Sequence, residues 1–267
     1  MRRTAWILIS ILFLFALSSL APAKDKGDKK GEAKEEEKVE LPPFFLAKTK
    51  GKVYIVAWDK EKKKAVKRKA KAPMAVAMND RIVTGKRARA YLQFKDGGTV
   101  EVGPESEVFV QEIDVTPKTF RARFLLALGR FRATVKKLTG THSTFEVEAG
   151  GVVAGVRGTT FEVEYDKKED QAVAKTYEGR IYTRSDGEEQ WVKEGFSLAF
   201  SAGGGAVSGS LDTDDIKDFA EFINIAGDLE KKKEILLKQL KKQLLKKATG
   251  GLLDAGKDGK TGIHFGF

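Results

Sequence analysis

Residues 87–102 read RARAYLQFKDGGTVEV and indicate a β-hairpin. Apolar side chains alternate with polar or larger ones, which places one apolar set on a single face of the strand: Ala88, Ala90, Leu92 and Phe94. Asp96 and Gly97 follow, and both residues tolerate the positive φ angles of a tight turn. Val100 and Val102 continue the alternation on the return strand. The stretch therefore predicts an antiparallel sheet with one buried face.

Segments of the same kind extend from about residue 52 to residue 200. They are short, rich in β-branched and aromatic residues and separated by Gly and Asp turns: 53–58, 107–111, 123–128, 130–136, 144–148, 160–165, 172–177, 180–184, 190–192 and 196–200. No alternation of strands with helices is visible, which argues against a nucleotide-binding parallel sheet. The predicted fold class is mainly β, an antiparallel β-sandwich or jelly-roll-like domain followed by a C-terminal α-helical segment.

The N-terminus has the pattern of a secretory signal peptide. Arg2 and Arg3 precede an apolar run over residues 5–17, and Ala21-Pro22-Ala23 forms a small-x-small cleavage site. We expect cleavage after Ala23 and export to the periplasm or the exterior of a bacterium. The alternative is a retained membrane anchor, for which the apolar run is short.

The remaining chain divides by composition. Residues 24–43 predict a charged, disordered linker, and residues 44–202 the β domain. The basic stretch 60–71 is interpreted as an exposed hairpin tip or loop. A glycine-rich linker, a basic amphipathic helix that Gly227 could break, and a flexible tail are predicted to follow: 203–211, 212–249 and 250–267.

Composition excludes several kinds of chemistry. The chain has no cysteine and only two histidines, so it offers no disulfide, no thiolate nucleophile and few ligands for a soft metal ion. We therefore predict no catalytic residue, no cofactor and no metal site. The net charge of +11 is compatible with an anionic partner and equally with a lysine-rich soluble surface.

An ordered set of segments resembles the FecR domain family over about residues 52–200. The matching segments are NDRIVTG at 79–85, RAYLQF at 89–94, DGGTV at 96–100, GPESE at 103–107, LGRF at 128–131, FEV at 145–147, VAGVRGTTFEV at 153–163, EG at 178–179 and KEG at 193–195. The resemblance implies an exported, non-catalytic β domain. The best-known members relay a signal from an outer-membrane transporter to a cytoplasmic sigma factor. Only residues 1–4 precede the apolar segment here, so we do not expect that regulatory role.

One loop of the β domain is a candidate binding site. Arg157 lies between glycines, in the segment formed by Gly155, Arg157, Gly158 and Thr159. The functional interpretation is a partner contact presented on a tight loop. The structural interpretation is that the guanidinium and the glycines only stabilise a turn. Glu162 and Glu164 share one face of the following strand, which we expect to face water.

The C-terminal helix is the second candidate. Its apolar stripe comprises Leu236, Leu237, Leu240 and Leu244, and its nearby cations include Lys238, Lys241 and Lys242. The stripe could dock on the β domain or on another copy of the chain, which leaves the lysines solvated. Alternatively, the helix could lie on an anionic membrane surface.

Together these features predict an exported, non-enzymatic binding or scaffold protein whose partner is another envelope protein or polymer. The alternative is a peripheral protein that binds the membrane or an anionic glycan through its lysine-rich helix, and a hydrolase is a third possibility. No nucleic-acid partner is expected, because the leader removes the chain from nucleic acid. The oligomeric state stays open.

Overall fold

The computed structural model describes residues 41–59, 62–95, 98–116, 118–140, 142–185, 187–201 and 205–255, the last nine by backbone alone. These residues form a mainly β structure with one C-terminal helix, as the sequence predicts. The strands are β1 Phe44–Lys50, β2 Val53–Asp59, β3 Lys64–Lys69, β4 Met74–Ala75, β5 Arg81–Thr84, β6 Arg89–Phe94, β7 Thr99–Val102, β8 Glu107–Val115, β9 Phe120–Thr134, β10 Thr144–Ala149, β11 Val152–Val156, β12 Thr160–Asp166, β13 Gln171–Glu178, β14 Arg180–Ser185, β15 Glu188–Lys193, β16 Phe196–Ser201 and β17 Val207–Ser210. The helix is α1, Thr213–Ala255.

The strands form two layers that share β9. In layer A the order is β4-β1-β6-β7-β9-β12-β13-β16-β17. In layer B the order is β3-β2-β5-β8-β9-β10-β11-β14-β15. Pairing is antiparallel throughout except between β9 and β10. The layers are open at both sides, so β3, β4, β15 and β17 are edge strands of the described structure.

Strand β9 changes layers at Gly129. Residues before it pair with β8 and residues after it pair with β7 and β12. Gly129 has φ +91°, and a Cβ atom there would lie 2.2 Å from Oγ of Ser106. That Oγ accepts the N–H of Arg130 at 2.9 Å and donates to the carbonyl of Pro104 at 2.9 Å. Only glycine fits this position, because the turn and the neighbouring hydroxyl occupy the space of any side chain.

Phenylalanine rings fill the space between the layers. Phe44 and Phe94 lie 4.5 Å apart between ring centroids, and Phe124 lies 5.1 Å from Phe131 and 5.5 Å from Phe145. All are at most 1% exposed. Each buried ring contributes about 1.5–3 kcal/mol through the area that it removes from water. The apolar face predicted for residues 88–102 is part of this core.

Helix α1 covers the outer face of layer A. Asp212 caps its first turn, because its Oδ1 accepts the N–H of Asp215 at 2.7 Å and Asp215 in turn accepts the N–H of Asp212. Phe219, Phe222 and Leu240 then pack against residues of β1 and β6 in a second apolar cluster. The part of the outer face of layer A that α1 covers is therefore buried rather than solvated.

The structure differs from the sequence expectations at four places. Residues 64–69 form β3 and residues 207–210 form β17, where a loop and a linker were predicted. The segment 152–156 forms β11, a strand that was not predicted because glycines surround it. Helix α1 runs through Gly227 without a break and continues past residue 249. Pairing with neighbouring strands and packing on the sheet override these weak local signals.

Several predictions lie outside the described residues. They are the signal peptide over residues 1–23, the charged linker up to residue 40, the turn at Asp96 and Gly97 and the tail over residues 256–267. They remain expectations from sequence. No helix in the described part of the chain combines the length and apolar character needed to cross a membrane.

Candidate functional site: a buried charge network and two open edges

A network of charged side chains lies between layer A and helix α1. At its centre is Arg132 of β9, which is 1% exposed. Its Nε forms an ion pair with Oε2 of Glu162 on the adjacent strand β12. Its Nη2 donates to Oδ2 of Asp218 on the helix at 2.5 Å. Arg132 is therefore held by the sheet on one side and by the helix on the other.

Two further cations extend the network along the sheet. Lys175 of β13 lies 3.1 Å from Oε1 of Glu162 and 2.8 Å from Oδ1 of Asp215 on the helix. Arg89 of β6 donates to Glu101 of β7 at 2.5 Å. Each buried charge thus has an opposite charge within contact, which offsets much of the free-energy cost of its removal from water.

The expectation that Glu162 and Glu164 face water was wrong for Glu162. Strand alternation does place both on one face, but that face lies beneath α1, and the side chain of Glu162 is 0% exposed. Glu164 is nearer the rim, at 37%. The sequence could not reveal this, because the helix that covers the face begins about fifty residues later in the chain.

The network changes the pKa values of its acids in opposite directions. Burial, and then the negative charge of Glu162, raises the pKa of Glu164 to about 7. Burial also acts to raise the pKa of Asp218, but the hydrogen bond and positive charge of Arg132 outweigh it, so that this pKa falls below its ordinary value. Burial opposes the charge of Lys175, but Glu162 and Asp215 outweigh it and raise its pKa.

The predicted binding loop is mostly buried. Gly155 and Thr159 are buried, and Arg157 is the exposed member. Gly158 has φ +114°, and a Cβ atom there would lie 2.6 Å from Cα of Lys137. The carbonyls of Arg157 and Thr159 accept the N–H groups of Leu138 and Val135, at 3.4 and 3.0 Å. These contacts favour the structural interpretation of the glycines: the loop positions the segment that follows β9. A binding role for Arg157 itself stays a prediction.

That segment forms one wall of a cleft at the end of the sandwich. The cleft has a volume of about 560 Å³ and an apolar floor that includes Val115, Phe120 and Leu138. Its rim carries four lysines: Lys95, Lys118, Lys136 and Lys137. None of its described lining residues is acidic. The Arg157 loop therefore holds in place one wall of a basic, partly apolar cleft.

The side of the sandwich between β15 and β17 exposes large apolar side chains. Trp191 is 58% exposed, Phe196 47% and Val207 68%. A shallow groove of about 260 Å³ lies among Trp191, Phe196, Leu198 and Ser208. Strand β17 pairs only with β16 in the described structure and has no charged residue or proline. This surface was not predicted from the sequence, because residues 207–210 resemble part of a glycine-rich linker.

The opposite side, next to β3 and β4, is strongly basic. Helix α1 reaches it with its C-terminal half, where Leu237 and Leu240 are buried and Leu236 and Leu244 are partly buried. Lys238, Lys241 and Lys242 are exposed on the same part of the helix. The structure thus places the predicted leucine stripe against the protein's own sheet and leaves the lysines in solvent.

Comparison with known families decides the resemblance. The family model described as FecR protein matches residues 80–182. Residues 80–182 match the FecR domain. This domain spans β5 to β14 and includes the Gly129 turn, the Arg157 loop and the central strand β9. The strands β1–β4 and β15–β17 and helix α1 lie outside the match, so the edge strands of both open sides are outside the matched residues.

Two crystal structures of a proposed anti-sigma factor from Parabacteroides distasonis ATCC 8503 are similar to this chain. Their TM-scores are 0.43 and 0.44, and their sequence identities 11% and 12%. In both cases the match covers 51% of this chain and 62% of the other. No protein with a curated description matches the sequence.

No group of three or more metal-binding side chains comes together in the described ranges.

Glu164 borders an open cleft of about 750 Å³ with Glu105, Arg130 and Asp166. Its carboxylate neighbour Glu162 is covered by α1 and does not reach that cleft. The two acids therefore do not face each other across a substrate site, as hydrolysis of a glycosidic bond requires.

Proposed function

We propose that this protein is an exported, non-enzymatic binding or scaffold protein of a bacterial envelope, and that its partner is another envelope protein. The family match supports a role in interaction, because the resemblance to FecR implies non-catalytic domains. The leader-like segment over residues 1–23 supports export.

A single observation carries the proposal: the open side between β15 and β17. Edge strands expose unpaired N–H and C=O groups that can hydrogen-bond a strand from another chain, and proteins commonly guard such edges with charges, prolines or bulges. The sequence of β17, VSGS, has no charge and no proline. The exposed rings of Trp191 and Phe196 lie beside it and line the same groove. Backbone pairing and aromatic side chains are the two usual sources of affinity in strand addition.

The apolar character of this side favours a protein partner over a charged polymer. Phe196 supplies exposed apolar area at the groove, and the buried side chains of Val192 and Leu198 also line it. Lys193 is the cation among the lining residues. An extended segment with alternating apolar side chains would pair with β17 and place every second side chain against Trp191 and Phe196.

Affinity capture from an envelope extract tests the proposal. The mature chain from Lys24 is compared with the variant Trp191→Ala/Phe196→Ser and with Val207→Lys, which introduces a charge at the edge strand. Trp58→Ala is the matched control, because Trp58 is a 61% exposed tryptophan on β2. We expect a specific protein to be captured by the wild type and the control and lost with both edge variants. Capture that is unchanged in both edge variants would contradict the proposal.

A further inference from the structure

The positive charge of the chain is concentrated in two segments. Residues 59–71 hold eight basic and two acidic side chains, and residues 231–247 hold eight lysines and one glutamate. Their combined formal charge is +13, which exceeds the +11 of the whole chain. The remainder of the protein therefore has a net charge close to zero, and the excess of positive charge comes from these two segments.

The fold brings the two segments together although about 160 residues separate them. A groove of about 560 Å³ has Arg68, Lys69 and Lys71 on one wall. Leu240, Gln243 and Leu244 of α1 form the other wall. The basic residues of the first wall are exposed, as are Lys238, Lys241 and Lys242 on the helix. We call this surface the basic groove.

We propose that the basic groove binds a flexible, linear, anionic polysaccharide, with the β3–β4 segment and the helix contacting the same chain. A linear polyanion can follow the groove along Arg68, Lys69 and Lys71 and reach the exposed lysines of α1 beside it. Each contact releases counterions, so affinity should depend steeply on salt. The proposal does not rest on the protein partner suggested for the β15–β17 side, because the two surfaces lie at opposite edges of the layers.

A membrane surface fits the structure less well. An amphipathic helix binds a bilayer by burying its apolar face among the lipids. That face of α1 is already occupied, since Leu229, Leu237 and Leu240 are at most 6% exposed against layer A. What remains for a bilayer is the exposed lysine side of the helix, without the β3–β4 wall.

Nucleic acid also fits less well. Proteins that bind single strands stack the bases on aromatic side chains. None of the described residues that line the groove is aromatic. The groove supplies charge and a few apolar contacts, which suit a polymer of acidic groups without bases.

Fluorescence anisotropy with a labelled heparin oligosaccharide tests the proposal on the mature chain. Lys69→Gln/Lys71→Gln removes two charges from the first wall, and Lys241→Gln/Lys242→Gln removes two from the exposed side of the helix that forms the second wall. Lys167→Gln/Lys168→Gln removes two exposed charges from the β12–β13 turn and is the matched control. We expect each groove variant to weaken binding about tenfold and the control to leave it unchanged. Wild-type affinity should fall about 100-fold from about 50 to about 200 mM salt.

Three results would overturn the proposal. Equal losses in the control and the groove variants would mean that net charge alone drives binding. A loss from only one wall would remove the claim that both segments contact the same chain. Tighter binding to anionic vesicles or to single-stranded DNA than to the oligosaccharide would replace the polysaccharide with that partner. Thermal melts of each variant establish that it is folded, and Trp191→Ala should leave oligosaccharide binding unchanged.

Discussion

Arg132 of β9 and Asp218 of α1 are joined by an ion pair of 2.5 Å between residues that lie 86 positions apart in the chain. Arg130 also donates to the same carboxylate, at 2.8 Å. Asp218 is thus the point at which the helix binds the central strand of the sandwich. The helix is an integral part of this domain, although it lies outside the FecR match.

Loss of this ion pair should destabilise the protein. We expect Asp218→Asn to lower the free energy of unfolding by about 1.5–3 kcal/mol, because it weakens hydrogen bonds to two arginines, one of them buried. Asp214→Asn, four residues earlier on the helix, is the control: its side chain is 94% exposed and, within the described residues, forms one ion pair, with Lys217 at 3.7 Å. It should cost less than about 0.5 kcal/mol. Urea denaturation measures both, and equal losses would contradict the role of Asp218.

Loss of the aromatic contact between α1 and the sheet should destabilise the protein more than loss of the Asp218 ion pair. Phe219 stacks on Tyr177 of β13 with 3.6 Å between ring centroids and is 3% exposed. We expect Phe219→Ala to cost about 3–5 kcal/mol, the usual cost of a buried phenylalanine. Ile216→Ala, one turn earlier at 55% exposure, should cost less than about 1 kcal/mol. A small effect of Phe219→Ala in thermal or chemical unfolding would mean that the helix is not firmly docked.

The same reasoning predicts what truncation does. Removal of residues 211–267 would expose Tyr91, Phe45 and the paired charges around Arg132 to water at once. We expect the shortened chain to aggregate or to unfold at least 10 °C below the full chain, an order of magnitude that follows from losing several kcal/mol in a domain of this size. A soluble truncated chain with an unchanged melting temperature would show that the sandwich is stable without α1.

Most of the sheet could be predicted from the sequence, because alternation and Gly or Asp turns mark a strand with one buried face. The prediction of which face of residues 88–102 is buried was correct for this reason. Strands β3 and β17 could not be predicted in the same way. Lys64–Lys69 is polar on both faces and Val207–Ser210 is small, so only their pairing with β2 and β16 makes them strands.

The candidate surfaces were harder to predict from the sequence than the strands were. The stripe around Leu240 indicated a docking helix, but nothing local showed that it would cross the charged face of Glu162 and Arg132. The basic groove requires residues 68–71 and 240–244 to meet, which only the tertiary fold provides. The glycines around Arg157 indicated a tight turn, which lies between β11 and β12, whereas its contacts with the segment after β9 emerged from the structure.

The close packing of the Arg157 loop against Lys137 predicts that a side chain at Gly158 destabilises the protein. Gly158→Ala should cost more than about 2 kcal/mol, because a positive φ already costs about 1–2 kcal/mol and the new methyl group would collide with Cα of Lys137. Gly151→Ala is the control, since φ is +79° there and nothing lies within 4 Å of the new atom. It should show only the backbone cost. Similar melting temperatures for the two variants would contradict the close packing at Gly158.

Stability should depend on pH through two opposed groups. The folded pKa of Glu164, about 7, lies above its unfolded value, so its ionisation opposes folding as pH rises from about 4.5 to 7. Asp218 has a lowered folded pKa and stabilises the fold until acid protonates it. Wild type should therefore gain stability from pH 8 to pH 5 and lose it below pH 4.

Glu164→Gln isolates the first effect. It should flatten the rise in melting temperature between pH 8 and pH 5 and leave the loss in acid in place, because Asp218 is unchanged. An unaltered pH profile in this variant would mean that Glu164 titrates as an ordinary exposed carboxyl group.

We propose that a partner protein binds the side between β15 and β17, and site-specific photo-crosslinking in intact cells can detect it there. A benzophenone amino acid replaces Val207 on the edge strand or, as the control, Met78, which is 54% exposed elsewhere on the surface. We predict a discrete adduct with one envelope protein from position 207 and none from position 78. The same adducts from both positions, or none from position 207, would contradict the claim.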